Sequence, residues 1–187
     1  LIIMYIMFII KNISNLLVLF LITFLYSPIM AKNYIEMKLK NGNVLIELRS
    51  DLAPNHVKRI SSLVKEGFYD GLVFHRVIPN FMAQGGDPLG NGTGGSGQNI
   101  DAEFSNEKHI RGTVSMARAQ DPNSADSQFF ICFKDAPWLD GQYTIWGQVV
   151  EGMDFVDKIK KGDGSNGEVS SPDKIISMKL LDKKSKK

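Results

Sequence analysis

The stretch FHRVIPNFMAQGGD, residues 74–87, combines an apolar strand pattern with charged and polar side chains. Its first five residues have the composition of a buried strand, but His75 and Arg76 interrupt that strand. A Pro-Asn turn then leads to a second apolar pair and to a polar run that ends in Gly-Gly-Asp. Because an arginine keeps its charge at any ordinary pH, a cation among aromatic and aliphatic residues needs a functional explanation.

The residues on either side of this stretch predict short strands and two helices. Alternating apolar and polar residues over 34–49, around an Asn-Gly pair, predict a β-hairpin. Helical spacing of apolar residues predicts one helix from Pro54 to just before Gly67 and a second over about 153–160. Further strands are predicted at residues 72–78, 112–117, 127–133, 143–150 and 173–181. Since helices and strands do not alternate, the pattern predicts a mainly β protein, an antiparallel sandwich or closed barrel with helices at its ends.

The first 31 residues differ in composition from the rest of the chain. They carry one charge, Lys11, and their apolar run over 16–26 is followed by the small residue Ala31. This order is typical of a secretory signal, and the run is short for a bilayer span. We therefore predict a signal peptide over residues 1–31, with an uncleaved membrane anchor as the alternative. The translation start is open among Leu1, Met4 and Met7.

The remaining residues have the composition of one globular domain. The whole sequence is 43% hydrophobic and 22% charged, and without Lys11 it has 21 basic and 20 acidic side chains. This near balance gives little support to a nucleic-acid partner, and it leaves residues 1–31 as the only predicted membrane contact. We predict a domain over 32–182 and a basic tail over 183–187. The predicted location is the periplasm, with a membrane-anchored or secreted protein as alternatives.

Motifs for cofactors, metals and nucleophiles are incomplete. The single cysteine, Cys132, excludes an internal disulfide and lies in an apolar run, so it is predicted to be a buried hydrophobe. The loop GNGTGGSG contains G-x-G-x-x-G, but no helix pattern follows it, so we predict a flexible surface loop rather than a phosphate site. His56 and His109 are predicted to be surface residues, and His75 to be a hydrogen-bonded core residue on the face opposite Arg76. We expect no cofactor and no metal.

Five motifs resemble, in this order, those of the cyclophilin-type peptidyl-prolyl cis-trans isomerases: FHRVIPNFMAQGGD, NGTGG, GTVSMARA, DSQFFICF and WLDGQYTIWGQV. The resemblance covers residues 34–181, and the compact link EGFYDGLVFHR is similar to the shorter bacterial form. Together with the predicted signal peptide, the resemblance indicates a bacterial exported form. It implies an eight-stranded antiparallel closed barrel capped by two α-helices. It also implies isomerisation of X-Pro bonds in unfolded or newly exported polypeptides, without a cofactor. A monomer is the default expectation.

The resemblance also implies roles for individual residues. The catalytic residue is Arg76, which donates a hydrogen bond to the proline amide nitrogen. The apolar pocket for proline is formed by Phe81, Met82, Phe130, Leu139 and Tyr143. The residues that bind the rest of the substrate are Gln84, Gln128, Gly92, Ala117, Arg118 and Ala119. Trp138 matches a tryptophan that contacts cyclosporin-type inhibitors.

Two positions depart from the family pattern. Arg118 stands where many members have asparagine, and its charge is expected to favour acidic residues beside the proline. Tyr143 stands where many eukaryotic members have histidine, and it is expected to keep an aromatic wall with a polar tip. Independently of the resemblance, strand alternation in residues 127–133 puts Gln128, Phe130 and Cys132 on one face and Phe129, Ile131 and Phe133 on the other.

Three functions are compatible with the sequence. The first is an exported prolyl isomerase; rotation about a bond requires no nucleophile, metal or cofactor. The second is a chaperone or adhesin that binds proline-containing segments without turnover. The third is a membrane-anchored structural protein, if residues 1–31 stay attached. Arg76 favours the enzyme, because simple binding needs only an apolar pocket.

Overall fold

The computed structural model describes residues 33–164 and 166–181, which form one antiparallel sheet of eight strands and two helices. The strands are β1 (Tyr34–Leu39), β2 (Gly42–Leu48), β3 (Arg76–Ile78), β4 (Met82–Gly85), β5 (Thr113–Met116), β6 (Phe129–Cys132), β7 (Ile145–Glu151) and β8 (Ser177–Leu181). Their order in the sheet is β3-β4-β6-β5-β7-β2-β1-β8. The helices are α1 (Pro54–Lys65) and α2 (Met153–Asp157). The predicted signal peptide over 1–31 and basic tail over 183–187 lie outside the described residues.

The sheet curls into a half-barrel, so the predicted closed barrel is an overstatement. Within the described residues no ladder joins the edge strands β3 and β8. The segment between α2 and β8 crosses this space instead: Val77 N donates to Gly167 O at 2.7 Å, and Val169 N donates to His75 O at 3.0 Å. With only three residues, β3 is too short to pair along a full-length strand.

Side-chain alternation in the sheet separates a core face from an outer face that carries both polar and apolar side chains. Across neighbouring strands, Val77, Ala83 and Ile131 are in register and fully buried. The adjacent row contains Arg76, Gln84 and Phe130 on the same three strands. The alternation predicted for residues 128–133 is confirmed. Phe130 and Cys132 belong to a small apolar cluster, whereas Phe129, Ile131 and Phe133 belong to the main core.

The predicted elements are confirmed with shorter bounds. The hairpin forms, although the positive φ is adopted by Gly42 and not by Asn41. The strand predicted at 72–78 is limited to Arg76–Ile78, and the helix predicted at 153–160 ends at Asp157. Strand β4 was not predicted, because its sequence MAQG mixes small and polar residues and has no clear apolar period. Among the described residues, no helix has the length and hydrophobicity needed to cross a membrane.

Helix α1 is capped by a carboxylate from a distant loop. Its own N-cap residue, Ala53, has no side-chain acceptor, and the Glu103 carboxylate instead accepts from Asn55 N at 3.1 Å and from His56 N at 2.9 Å. Glu103 also contacts His56 Nδ1 at 2.7 Å. The prediction that His56 is a surface residue is therefore wrong. Its ring is fully buried, because it forms the partner for the carboxylate that caps the helix.

We expect Glu103→Ala to lower the free energy of unfolding by about 2 kcal/mol, because a helix cap and the partner of a buried imidazole are both lost. Burial alone would raise the pKa of Glu103, but its hydrogen bonds from His56 and Asn55 lower it overall. This stabilisation is therefore present above the ordinary carboxylate pKa and is lost as the pH falls through the lowered value.

Urea unfolding at pH 7 and at acidic pH measures the effect, with Glu107→Ala as control. Glu107 is exposed, and its ion pair with Arg49 is long, at 3.9 Å. Equal stability changes for the two variants at pH 7 would contradict the capping role. So would a Glu103→Ala effect that does not shrink in acid.

Candidate active site

The outer face of β3, β4 and β6 borders an open groove of about 530 Å³. Most of the predicted site residues line it: Arg76, Phe81, Met82, Gln84, Gly92, Ala117, Arg118, Phe130, Leu139 and Tyr143. An adjoining depression of about 280 Å³ is lined by Gln128 and Ala119, together with several residues shared with the groove. The fold therefore brings together predicted site residues that are as much as 67 positions apart in the sequence, from Arg76 to Tyr143.

Arg76 is held in a fixed orientation at the edge of the sheet. Its Nε donates to Asn166 O at 2.8 Å, and its Nη1 donates to Gln84 Oε1 at 3.1 Å. Gln84 is its register partner on β4, so the sheet itself brings the two side chains together. Arg76 forms no ion pair with the described residues, and its Nη2 makes no hydrogen bond to them. A permanent cation with one uncommitted nitrogen therefore borders the groove.

A chain of amide hydrogen bonds links Arg76 to the glycine-rich loop. Gln84 Nε2 donates to Gln128 Oε1 at 3.0 Å, and Gln128 Nε2 donates to Gly92 O at 3.0 Å and to Gly94 O at 2.8 Å. Gly92 has φ +92°, a conformation that side chains with a Cβ rarely adopt, so its conformation favours glycine. The chain fixes the direction in which each glutamine presents its oxygen and nitrogen.

The glycine-rich loop is tied down by carboxylates. Asp87 accepts from the amides of Leu89 and Gly92, and Asp126 accepts from the amides of Ser96 and Gly97. Burial alone would raise the pKa of Asp87, but the surrounding amide donors lower it overall. The amides that a phosphate would need are therefore occupied by anions. The carboxylates hold the loop in one conformation, which differs from the flexible loop that was predicted.

The apolar part of the groove is a cluster separate from the main core. Its buried members are Met82, Phe130, Cys132, Ala136 and Leu139, with Phe81 and Tyr143 packed against them. The rings of Phe130 and Tyr143 meet edge to face at 5.9 Å. Trp138 is 58% exposed, lies outside the groove lining, and packs its ring 5.5 Å from that of Phe81. The five predicted pocket residues thus do form one apolar surface.

His75 differs in part from its prediction. It is buried as predicted, but neither ring nitrogen has a hydrogen-bond partner among the described residues, and its ring lines the same groove as Arg76. It precedes β3, so strand alternation does not control its direction. Burial lowers the pKa of His75; nearby Asp87 raises it and Arg76 lowers it further. Because its pKa is lowered, the His75 imidazole is mainly neutral at neutral pH.

His109 is also not the surface residue that was predicted. It is 1% exposed and lies behind the pocket, with its ring parallel to that of Phe130 at 6.3 Å. Its Nδ1 contacts Asp140 at 3.2 Å and its Nε2 contacts Ser115 Oγ at 3.1 Å. Despite the Ser-His-Asp composition, Ser115 is fully buried and donates to Thr144 O at 2.8 Å. The trio supports Phe130 and has no exposed nucleophile.

Cys132 is buried in the apolar cluster, as predicted. Burial raises the pKa of its thiol to about 12, so it is protonated at neutral pH and unsuited to act as a nucleophile. No group of three or more His, Cys, Asp or Glu side chains in the described part of the chain is arranged to hold a metal ion.

Several residues of the groove were missed by the sequence analysis. Asn166, Glu168 and Val169 line it from the segment that follows α2, and Gly90 and Asn91 line it from the glycine-rich loop. Asn166 acts through its main-chain carbonyl, which leaves no side-chain signature in the sequence. The Asn-Gly pair at 166–167 indicates a turn but not its position beside Arg76.

Residues 34–180 match the sequence model of one family, the cyclophilin type peptidyl-prolyl cis-trans isomerase/CLD family. The chain belongs to this family. A probable peptidyl-prolyl cis-trans isomerase of Brucella suis is 58% identical to this chain, over 78% of this chain and 81% of that protein. A peptidyl-prolyl cis-trans isomerase of Helicobacter pylori is 48% identical, over 70% of this chain and 82% of that protein.

Solved structures agree with this assignment. The crystal structure of a cyclophilin type peptidyl-prolyl cis-trans isomerase of Cryptosporidium parvum matches this chain with a TM-score of 0.73 at 30% identity. The match covers 80% of this chain and 98% of that chain. A crystal structure of the same Cryptosporidium protein in the presence of the dipeptide Ala-Pro gives a TM-score of 0.70 at 31% identity, over 78% of this chain and 96% of that chain. The protein is thus an enzyme, a peptidyl-prolyl cis-trans isomerase that acts on proline-containing peptides.

Proposed function

We propose that this isomerase accelerates rotation about X-Pro bonds in exported proteins without covalent chemistry, using Arg76 as the catalytic residue. The observation that carries the proposal is the fixed guanidinium of Arg76, which two acceptors orient in a groove that also contains the apolar cluster around Phe130. Proline binds against Phe130 and Met82, and the residues before it lie along Ala117 and the glycine-rich loop. Gln84 and Gln128 orient the arginine and the bound peptide.

The reaction needs a change of amide electronics rather than a broken bond. Rotation about a peptide bond meets a barrier of about 18–20 kcal/mol, and an X-Pro bond isomerises in tens of seconds or more unaided. In the twisted transition state the amide loses resonance, and the proline nitrogen regains a lone pair. An apolar pocket favours this less dipolar state. A fixed donor hydrogen-bonds the nitrogen only when the nitrogen has become an acceptor, so the transition state is bound selectively.

Arg76 supplies part of the required energy. A hydrogen bond from a charged group contributes roughly 1.5–3 kcal/mol, whereas an acceleration of about a millionfold needs roughly 8 kcal/mol. The remainder comes from desolvation of the amide in the pocket and from contacts that hold the peptide on both sides of the proline. The length of the groove beyond the apolar cluster serves this second purpose.

The assay that tests this function measures cis-trans exchange of a proline peptide by NMR, with and without the purified domain. We expect exchange cross-peaks that grow with enzyme concentration for a peptide containing proline and none for its alanine counterpart. Binding without accelerated exchange would contradict the enzyme function and would favour the proline-binding chaperone.

We also propose that residues 1–31 direct export and that the mature domain works in the periplasm as a monomer. The composition of residues 1–31 supports export. Edman sequencing of the protein from a secreting host tests cleavage: a mature N-terminus at Lys32 is expected. A retained N-terminus in the membrane fraction would indicate an anchor, and secretion would place the protein in the medium.

The oligomeric state is tested separately. Sedimentation of the mature domain measures its mass, and the mass of a monomer is expected.

A cyclosporin-type inhibitor is proposed to bind the same groove, with Trp138 as a contact. The exposed ring of Trp138 beside Phe81 offers an apolar surface at the rim. Inhibition of exchange by micromolar cyclosporin is the expected result. An unaffected enzyme would show that Tyr143 or Arg118 has changed the shape of the groove.

The rate of exchange is expected to be independent of pH from about 6.5 to 9. The guanidinium of Arg76 keeps its charge throughout this range. Burial lowers the pKa of both His75 and His109 below the ordinary histidine value of about 6.5, so the midpoints of their titrations lie below this range. NMR exchange rates at several pH values measure this. A sigmoidal change centred at or above pH 6.5 would instead assign a proton-transfer role to His75.

A further inference from the structure

Arg118 joins two segments of the groove wall through main-chain carbonyls. Its Nη1 donates to Ala119 O at 2.9 Å and to Gln120 O at 3.1 Å, and its Nη2 donates to Gln142 O at 3.0 Å. A carbonyl on each side of the guanidinium therefore holds the turn after β5 against the turn before β7. The half-buried side chain forms no ion pair with a described carboxylate.

The same guanidinium lies over the ring of Tyr143. The Arg118 Cζ is 4.5 Å from the Tyr143 ring centroid, and Tyr143 in turn packs edge to face against Phe130. His109 supports the far side of Phe130. The two positions that depart from the family pattern are thus in direct contact, and both line the groove. A cation–π contact of this geometry restrains the aromatic ring.

We infer that Arg118 is a positioning residue that holds Tyr143 as one wall of the proline pocket and so sets the width of that pocket. The inference rests on the proposed function of the groove. Each terminal nitrogen of the planar guanidinium already donates to a carbonyl of its own chain before a substrate binds, and its buried Nε has no partner among the described residues. Its role is therefore distinct from recognition of an acidic residue beside the proline. Lysine cannot reproduce it, because an ammonium has no planar fork and stacks poorly on a ring.

Arg118→Lys and Arg118→Gln separate positioning from charge recognition. The probes are three peptides with glutamate, alanine or lysine before the proline. Positioning predicts that both substitutions lower kcat/KM by roughly threefold to thirtyfold, to the same extent for all three peptides. Wild-type activity of Arg118→Lys, or a loss limited to the glutamate peptide, would overturn the inference in favour of charge recognition.

A larger ring tests the width of the pocket directly. Peptides with pipecolate, whose ring has one more methylene than proline, are expected to react at least about tenfold less efficiently with the wild-type enzyme. In Arg118→Gln and in Tyr143→Leu this discrimination is expected to fall by threefold or more, because the wall is no longer held. The double variant is expected to show little further change, since both substitutions remove the same restraint.

Thermal unfolding of each variant identifies any loss of folded protein, and the conservative Arg118→Lys keeps the test available if Arg118→Gln is unstable. Folded variants with unchanged discrimination between proline and pipecolate would overturn the positioning role. Additive effects in the double variant would do the same. A wild-type enzyme without isomerase activity would reject the proposed function itself, whereas active wild type with unaffected Arg118 variants would reject only this inference.

Discussion

Replacing Arg76 by alanine is expected to lower kcat/KM by about 10²-fold while peptide affinity changes by less than about threefold. In the proposed mechanism, the lost interaction is a hydrogen bond from a charged donor that forms only in the twisted transition state, worth roughly 1.5–3 kcal/mol. Ground-state contacts with the pocket remain, so turnover falls and binding survives. NMR exchange measures the rate, and isothermal titration with the same peptide measures the affinity.

Arg76→Lys is the second variant to test, because it keeps the positive charge and removes the planar guanidinium that donates to two acceptors. A lysine cannot donate to Asn166 O and Gln84 Oε1 together and still present a free nitrogen to the substrate. We expect most of the activity to be lost in this variant as well. Arg49→Ala is the matched control, since Arg49 forms a surface ion pair with Asp51 at 2.8 Å and does not line the groove.

Wild-type turnover in Arg76→Ala would contradict the mechanism. A loss of affinity as large as the loss of rate would make Arg76 a binding residue instead. Full activity in Arg76→Lys would show that charge alone is sufficient, and that the hydrogen bonds from Arg76 to Asn166 and Gln84 have no role in catalysis.

The sequence predicts the strand faces well, because side-chain direction in a strand follows from parity alone. Alternation over residues 127–133 separates Phe130 from Phe129, and the structure puts them in different apolar clusters. Cross-strand register then accounts for the neighbours of Arg76, since Gln84 and Phe130 share its row. Which strands lie beside Arg76 depends on the strand order, and the periodicity of the sequence does not predict that order. Gln84 and Phe130 were predicted as site residues from the family resemblance.

The histidines show where residue-level reasoning fails. His56 and His109 lie in polar stretches of sequence and are nevertheless buried, because a carboxylate from a distant loop contacts the Nδ1 atom of each ring. A buried polar group is acceptable when it has a partner, and partners far along the chain have no local signal. The same applies to Asn166, whose carbonyl orients Arg76 from a distance of 90 residues.

Phe130→Leu and Phe129→Leu form a matched pair with opposite expected effects. Phe130 faces the groove between the rings of Tyr143 and His109, so its replacement is expected to lower kcat/KM by roughly tenfold or more as these ring contacts and the pocket floor are lost. Phe129 lies in the core against Tyr69 and Trp146. Its replacement is expected to lower the free energy of unfolding by about 1–3 kcal/mol and to leave the activity of the folded enzyme close to wild type.

The comparison is sharp because the two side chains are adjacent, chemically identical and changed in the same way. Urea unfolding gives the stability of each variant, and exchange rates at a temperature where both are folded give their activities. A larger loss of activity in Phe129→Leu than in Phe130→Leu would mean that activity depends on general core packing. In that case the outer face of β6 would not be the proline-binding surface. If only Phe130→Leu loses activity, side chains on one face of β6 bind proline and side chains on its other face stabilise the fold.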